Sequence, residues 1–382
     1  MPPNSPDSPP ICEEKKPKSP PKYAELDENN NAEKDIPIVD VERQIQVVDD
    51  STQQWLILRK DIKWLNVIAI TLLHLMALYG LLTVSYSQHK RTMTWAFVIV
   101  IFTGFGVTGG AHRLWTHRSY KANARMRVLL MICFITAGMN NLYHWVRDHR
   151  VHHKYSETDA DPHNSRRGFF FSHVGWLMLK KHPDVKAKGQ SIDMSDIVND
   201  PVVAFCDRHN LLLRILTTLF TIGVPVYCWN EDWYHSFAFQ LFRYVYDLNA
   251  TWSVNSLAHI YGDKPYNRKI DPVENRLVSW LTFGEGWHNY HHTFPWDYRA
   301  AEIGGGRFNL TARVIEWFAG LGWASDLREP SPALVRRTIA HRGDGTHPCV
   351  LRQSSSTAGG GSSVADDVLD NLESAIGKSH FF

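Results

Sequence analysis

Four long apolar runs dominate the pattern of hydrophobic and polar positions along the chain. They cover residues 64–84, 95–111, 211–229 and 233–257. A helix needs about 20 mostly apolar residues to cross a bilayer core of roughly 30 Å, and tryptophan or tyrosine lies near several run ends, as the membrane interface favours. The pattern therefore predicts an all-α integral membrane protein with four transmembrane helices. Buried helices of a soluble core are the alternative, which four such runs disfavour.

The fourth run is the least typical because it contains Arg243 and Asp247. Residues four apart share a helix face, so these charges can pair, and charges inside a membrane usually face the bundle interior or a wet cavity. A shorter apolar run, residues 129–139, predicts a helix that lies at the interface or packs against the bundle. The polar stretches 140–210 and 258–352 are expected to form a cap that carries the chemistry.

Composition adds boundaries to this picture. The 382 residues carry a net charge of +2, which argues against nucleic acid as a partner, and the five cysteines form no C-x-x-C pair. Residues 1–55 are polar and proline-rich, which predicts a disordered tail. Residues 351–382 are rich in serine and glycine and predict a flexible one. One folded domain is expected over 56–350, and no signal-peptide pattern opens the sequence, so we expect no cleaved leader.

Histidine is the informative residue type, since the chain has 20 histidines and five cysteines. Two clusters share the spacing H-x-x-H-H, which places three imidazoles on one helix face. A third cluster has the spacing H-x4-H, and one further candidate lies at the end of the fourth run, four residues after Asn255. The candidates are His112 and His117; His149, His152 and His153; His288, His291 and His292; and His259.

So many imidazoles predict a metal centre with more than one ion. Neutral imidazole suits zinc, copper, iron and nickel, but a zinc site closes at three or four ligands and often includes cysteine. Eight or nine histidines favour two six-coordinate ions with open positions, and iron that activates O₂ is the natural candidate. Four carboxylates are candidates to orient the imidazoles. They are Asp148, Asp159, Asp161 and Glu285.

The histidine clusters also constrain the topology. A shared site requires all clusters to lie on one side of the membrane, and two crossings by the third and fourth runs return the chain to that side. Basic residues after the second run mark this side as cytosolic, although Lys90 and Arg91 in the first loop weakly oppose that orientation. Four isolated histidines are expected to be surface or hydrogen-bonded residues rather than ligands. They are His144, His163, His173 and His182.

Four stretches of the sequence resemble the membrane acyl-CoA desaturases of animals, of the stearoyl-CoA (Δ9) type. They read "HRLWTHRSYKA", "RDHRVHHKYSETDADPHNSRRGFFFSHVGW", "NATWSVNSLAH" and "GEGWHNYHHTFPWDY". The resemblance extends over residues 55–350. It implies a four-helix transmembrane bundle beneath a cytosolic cap in the endoplasmic reticulum membrane, with both termini cytosolic. It also implies O₂-dependent insertion of a cis double bond into saturated fatty acyl-CoA.

For the metal centre, the resemblance implies two Fe²⁺ ions held by the nine histidines above and by Asn255 through water. The resemblance also implies electrons from cytochrome b5 with its reductase, and the carrier is expected to be a separate protein because this sequence contains no H-P-G-G haem-binding stretch. The distal end of an acyl tunnel is expected at Val100 and Gly104, which lie at spacings of four before Thr108 and His112. Positions that match substrate contacts in the family are Asn66, Asn140, Arg147, Asp148, Lys180 and Lys181 for CoA, and Thr251 and Trp252 for the acyl chain.

Three positions depart from the family pattern: Met139 replaces a glutamine, His144 an acidic residue, and Asp247 an apolar residue. They leave chain-length preference and double-bond position open, with Δ11 as an alternative to Δ9. A related di-iron hydroxylase would use the same histidines. A histidine-rich metal transporter is the other alternative, but it would place its ligands within the spans, near the middle of the bilayer.

Overall fold

The structure, a computed structural model, describes residues 61–302 and 308–351, which belong to one compact unit. The predicted tails lie outside the described residues except for Leu351, and so do residues 56–60 of the predicted domain. The tail boundaries therefore stay predictions.

Helices make up most of the described chain. In chain order they are α1 (Trp64–Thr83), α2 (Lys90–Phe105), α3 (Ala124–Ala137), α4 (Leu142–Tyr155), α5 (Trp176–Met178), α6 (Pro183–Gln190), α7 (Ser195–Val198), α8 (Pro201–Arg208), α9 (Asn210–Trp229), α10 (Trp233–Ile260), α11 (Arg276–Leu281), α12 (His288–Thr293), α13 (Leu310–Gly320) and α14 (Pro332–Arg342). Wider π-helical turns occupy Gly106–Thr116 and Phe171–Gly175, and a 3₁₀ turn occupies Ser165–Arg167. The strands β1 (Lys121–Ala122) and β2 (Ala324–Ser325) pair antiparallel, a small exception to the predicted all-α fold.

Within the described residues, three helices are long and apolar enough to cross a membrane: α1, α9, and α2 with its π-helical continuation. They correspond to the first three predicted runs. Their apolar side chains are unusually exposed, with Leu65 at 80%, Leu82 at 76% and Leu211 at 73%. Large exposed apolar surfaces of this kind mark contact with lipid or another protein, so the structure supports a membrane protein.

The fourth predicted run forms a helix, α10, but it does not reach the apolar character of the other three. It buries polar side chains instead, among them Arg243 and Asp247, whose Nη1 and Oδ2 atoms lie 2.8 Å apart. This confirms the predicted pairing. Helices α3 and α4 together offer a second candidate for a fourth crossing, bent by 87°. The number of four spans therefore stays a prediction.

The core forms where the π-helical segment packs against α3. A Cβ atom on Gly106 would lie only 2.3 Å from Phe134 N, so the two backbones can approach this closely only at a glycine. Around the contact Leu130, Phe134 and Leu142 are fully buried. This packing places the π-helical segment that follows α2 directly beside the helices of the cap.

A sharp bend between α3 and α4 directs the cap histidines toward the bundle. Helix α3 ends at Gly138, whose φ of +69° is left-handed and suits a helix C-terminus. Helix α4 begins at Leu142, and Asp207 accepts the backbone N–H groups of Leu142 and Tyr143 at 2.9 and 3.0 Å. These bonds satisfy two donors that a helix start leaves unpaired. The bend thereby positions α4 across the end of the π-helical segment.

Candidate metal centre

The π-helical segment explains how two histidines five residues apart face the same site. In an α-helix, residues five apart diverge by about 140° around the axis, whereas a π-helix bonds residue i to residue i+5. The His117 N–H donates to the His112 carbonyl at 3.1 Å, and the two rings lie 4.9 Å apart between centroids. The H-x4-H spacing thus fits a π-helix, which is rare and often found at functional sites.

The two H-x-x-H-H motifs divide their imidazoles between two groups. In α4, His149 and His153 join the first group and His152 the second. In α12 the division is reversed, because His291 joins the first group while its neighbours join the second. Each helix therefore contributes to both groups, as one helix face serving two adjacent ions would require.

All nine predicted histidines lie in these two groups, and the candidate ligand atoms of each group fall within 4.8 Å of one another. Imidazole nitrogens approach closely in both. His291 Nε2 lies 2.9 Å from His112 Nε2 and 3.0 Å from His153 Nε2, and His288 Nε2 lies 3.1 Å from both His259 Nε2 and His292 Nε2. The first group is His112, His117, His149, His153 and His291, and the second is His152, His259, His288 and His292.

Carboxylates hold the outer nitrogen of one imidazole from three of the four contributing regions. His112 Nδ1 lies 2.8 Å from Glu285 Oε2, His152 Nδ1 lies 3.0 Å from Asp161 Oδ1, and His259 Nδ1 lies 2.7 Å from Glu157 Oε1. A carboxylate on Nδ1 fixes the tautomer and directs Nε2 toward the shared centre. Asp161 and Glu285 were expected in this role, whereas Glu157 was not.

The electrostatics favour neutral imidazoles. Burial, reinforced by neighbouring imidazoles, lowers the pKa of His288, His291 and His292 well below the usual value. A metal ligand must be the neutral form. In addition, the Nε2 atoms of His117 and His149 are buried and have no hydrogen-bond partner in the described part of the chain. Orphaned buried nitrogens are costly, and metal ions at these positions would satisfy them.

Arg113 supports the first group from behind. Its guanidinium is almost completely buried and donates to Glu285 Oε1 from Nε at 3.1 Å and from Nη2 at 2.8 Å. Burial would raise the pKa of Glu285, but Arg113 and His112 hold it at about 2. The carboxylate beside His112 is therefore ionised. From the sequence, Arg113 was expected only as one of the basic residues that mark the cytosolic side.

A cavity of about 660 Å³, including its open mouth, runs from the histidines into the bundle. His112, His149 and His288 line one end together with Asn255, the predicted water-linked ligand. The other lining residues are Thr103, Gly104, Val107, Thr108, Ala137, Met139, Trp145, Tyr246, Asp247, Ala250, Thr251, Val254, Leu281, Thr282, Phe283 and Glu285. A mostly apolar channel ending at a metal centre can hold an alkyl chain against it.

Comparison with known proteins agrees with this geometry. The family model described as fatty acid desaturase matches residues 91–301. The chain is 52% identical to the acyl-CoA Delta-9 desaturase of Acheta domesticus, over 76% of this chain and 81% of that protein. This chain belongs to the fatty acid desaturase family. The predicted family is confirmed, and the protein is an oxidoreductase of the desaturase type.

Two further relatives show that this family varies in its chemistry. The desaturase is 47% identical to the acyl-CoA Delta(11) desaturase of Spodoptera littoralis, over 75% of this chain and 85% of that one. It is 50% identical to the stearoyl-CoA desaturase of Sus scrofa, over 74% and 78%. The activities named for these relatives differ at similar identity, so overall identity does not settle the double-bond position.

The residues of the desaturase that are predicted to contact CoA lie in several different surroundings. Lys181 and Arg147 both contact the buried carboxylate of Asp148, with Arg147 Nη2 at 3.0 Å from Asp148 Oδ1. Lys180 is more exposed, and its Nζ lies 3.7 Å from Asp61 Oδ1. The amide Nδ2 of Asn66 donates to the Leu177 carbonyl at 2.8 Å. Asn140 is exposed, and its Oδ1 accepts the next backbone N–H.

Only some of the predicted tunnel residues line the cavity. Thr251 and Gly104 line it. Val100 is buried but does not line the cavity among the described residues, and neither does Trp252. Trp252 packs instead against His74, at 6.0 Å between ring centroids. Of the three departures from the family pattern, Met139 and Asp247 line the cavity and His144 does not.

The other predicted polar residues differ in how close they lie to the nine histidines. Asp148 contacts Arg147 and Lys181, and Asp159 is exposed, so neither is placed to orient an imidazole. His163 was expected at the surface or in a hydrogen bond, yet it is buried, with its ring 4.4 Å from that of His152. His173 contacts Ser256 and Asn249, and His182 caps α6.

Proposed function

We propose that this desaturase inserts a cis double bond at Δ9 of a saturated fatty acyl-CoA, using O₂ and two iron ions. The observation that carries the proposal is the cavity that joins both histidine groups to the interior of the bundle, with His112 and His288 at one end and Gly104 further along. An acyl chain in this cavity would place one methylene beside both groups.

The donor set fits two iron ions. The first group offers five imidazoles and the second four, and Asn255, which lines the same cavity as His288, completes the second group through water. Iron supplies the O₂ chemistry that removes hydrogen from an unactivated methylene, which no acid or base side chain could do. The protein's own work is to hold the imidazoles through Glu157, Asp161 and Glu285, and to exclude water from the chain.

The CoA moiety is proposed to bind at the cations around Asp148, which are Arg147 of α4 and Lys181 between α5 and α6. Arg147 and Lys181 are only partly exposed, at 27% and 22% of their side chains, and both face Asp148. Arg147 is two residues before His149, so an anchor here lies close to the metal centre. Phosphate recognition requires such cations.

Lys181→Ala should raise KM for the acyl-CoA more than it lowers kcat, and Lys121→Ala, at an exposed residue of β1, is the control.

A four-span topology with both termini cytosolic in the endoplasmic reticulum membrane is proposed. At 1.5 Å per residue, the 28 residues of α10 extend about 42 Å, enough to cross despite their polarity. Crossing by both α9 and α10 also returns His259 to the side of His112, as the shared centre requires.

Ser87→Cys should then react with an impermeant maleimide only after permeabilisation of microsomes, whereas Ser195→Cys should react in sealed ones.

Cytochrome b5 with its reductase is the proposed electron source, on the strength of the family. Reconstitution of the purified desaturase with both proteins should support turnover. An equal rate without cytochrome b5 would assign the electron delivery to another carrier.

The deciding experiment is expression in a desaturase-deficient yeast, with mass spectrometry of the products. A Δ9 alkene is the expected result. A Δ11 alkene, the activity named for the Spodoptera littoralis relative, would retain the desaturase and correct the position. A hydroxylated chain would indicate a hydroxylase. Metal transport without lipid oxidation would overturn the proposal. The nine histidines argue against that outcome, because they lie at helix ends and in the cap rather than mid-span.

A further inference from the structure

A second group of metal-ligand side chains lies at the opposite end of the bundle. His89 directly precedes α2, Glu231 lies between α9 and α10, and His235 belongs to the first turn of α10. One candidate ligand atom from each falls within 4.8 Å of the others. Along α10, His235 and His259 are separated by about 36 Å at 1.5 Å per residue. The group is therefore remote from the nine histidines.

The distances within this group match those of a tetrahedral ion. Two ligand atoms bound at about 2.0–2.1 Å to a tetrahedral zinc ion are about 3.3 Å apart. Glu231 Oε1 lies 2.9 Å from His89 Nδ1 and 3.7 Å from His235 Nδ1, on either side of that value. The two imidazole rings lie 4.0 Å apart between centroids.

The group also contains polar atoms that its protein partners leave unsatisfied. His235 Nδ1 is buried and has no hydrogen-bond partner in the described part of the chain. The Glu231 side chain is only 9% exposed. Among residues 61–302 and 308–351, no lysine or arginine forms an ion pair with it. A buried carboxylate is costly without a positive partner, and a cation here would supply both that charge and the missing partner of His235.

The Glu231 carboxylate is held in place from its other side. Thr92, which is fully buried, donates its hydroxyl to Oε2, and the Asp232 backbone N–H donates to Oε1 at 3.1 Å. Thr92 in turn accepts the Trp229 indole N–H at 2.9 Å. The carboxylate is thus oriented by its surroundings before any ion binds, which lowers the entropic cost of binding.

We propose that His89, Glu231 and His235 bind one divalent transition-metal ion of the zinc class, with water as the fourth ligand. Nitrogen and oxygen donors without cysteine, at tetrahedral spacing, suit Zn²⁺. The ion clamps the loop before α2 to the turn between α9 and α10. It therefore stabilises the bundle end away from the catalytic centre and takes no part in desaturation.

The test uses the full-length, iron-loaded protein in detergent, dialysed against micromolar ZnCl₂. Zinc and iron are then counted by mass spectrometry of the metals. Wild type should hold one more zinc per chain than His89→Gln, Glu231→Gln or His235→Gln, at equal iron content and equal desaturation rate. His182→Gln is the matched control, because His182 belongs to an exposed group with Asp159 and Asp184 that also brings potential ligands together. It should bind zinc like wild type.

A second measurement needs no variant. Diethyl pyrocarbonate should modify His89 and His235 in the zinc-free protein, and added Zn²⁺ should protect both, as mapped by peptide mass spectrometry. Equal zinc content in wild type and all three variants, or modification unchanged by Zn²⁺, would overturn the site and leave a hydrogen-bonded His89–Glu231 contact.

Discussion

His112 and Glu285 are in direct contact, with His112 Nδ1 2.8 Å from Glu285 Oε2. The carboxylate also accepts two hydrogen bonds from Arg113. With Nδ1 engaged, His112 directs Nε2 toward His291 Nε2 at 2.9 Å. The orientation of one proposed iron ligand thus depends on a buried carboxylate and guanidinium that do not themselves reach the ion.

Glu285→Gln should weaken iron binding without removing a ligand. The amide keeps the shape of the side chain but loses the charge that fixes the His112 tautomer, and changes of this kind cost about 10–100-fold in metal affinity. The measurement is iron retained during titration with a chelator. Glu316→Gln is the control, since Glu316 contacts Tyr298 and Arg313 instead of a histidine. Equal chelator resistance of wild type and Glu285→Gln would remove Glu285 from the support of the centre.

His152→Ala and His291→Ala should each abolish desaturation and lower iron content while the protein remains in the membrane. The two residues belong to different groups, so each change opens a position on a different ion and disturbs its neighbour. Product analysis and iron content are measured together. His341→Ala, on the exposed side of α14, should behave as wild type. Normal turnover in either centre variant would show that the altered residue is not a ligand.

The sequence predicted the long apolar helices and the nine clustered histidines because both signals are local. Apolar run lengths match α1, α9 and α10 to within a few residues. Imidazole spacing identified the histidines themselves. The spacing also indicated that each H-x-x-H-H motif could be divided between two groups, since one helix turn can face two ions.

What escaped prediction depends on three-dimensional packing. Glu157 follows α4 with a φ of +61° and reaches His259 only because the chain turns back there. No periodic pattern marks such a residue. Val100 was expected along the tunnel from its spacing of four before Gly104, but it is buried and does not line the cavity among the described residues. Gly104, Thr108 and His112 do line the cavity, so the spacing of four holds over that part of the run, and Val100 as the tunnel end stays a prediction.

The buried pair Arg243–Asp247 should be more important for folding than for chemistry. Arg243 Nη1 donates to Asp247 Oδ2 at 2.8 Å, and Thr103 donates to the same oxygen at 2.9 Å. Asp247→Leu would leave the guanidinium buried and unpaired, at a cost of about 3–5 kcal/mol. We expect a large fall in the thermal midpoint, measured by fluorescence-detected size exclusion in detergent.

The double variant Arg243→Met/Asp247→Leu should recover most of that stability. Replacing a buried pair by apolar residues of similar volume is often neutral or stabilising, and the Thr103 hydroxyl can donate instead to the carbonyl of Ile99 or of Val100. A double variant as unstable as Asp247→Leu would show that the pair does not act as a unit.

The last prediction concerns chain length and rests on Gly104 and Phe283, which face each other across the cavity wall. A Cβ atom on Gly104 would lie 2.6 Å from Phe283 Cε2, so Gly104→Ala must push the ring aside, and Gly104→Phe must displace it further. Phe283 has a φ of +61° and Gly284 one of +121°, so the backbone at this turn cannot readily relax. The displaced ring should shorten the space available to the acyl chain.

Overpacking costs about 1–3 kcal/mol, which corresponds to roughly five- to 150-fold in discrimination at about 1.4 kcal/mol per tenfold. Gly104→Phe should therefore favour sixteen-carbon over eighteen-carbon acyl-CoA by that factor when the two compete in one reaction, and Gly104→Ala should shift it less. Phe283→Ala should act in the opposite direction and restore the wild-type ratio when combined with Gly104→Ala. Gly320→Ala is the control, because nothing lies within 4 Å of its added Cβ. An unchanged product ratio in an active Gly104→Phe variant would place the end of the acyl chain elsewhere in the bundle.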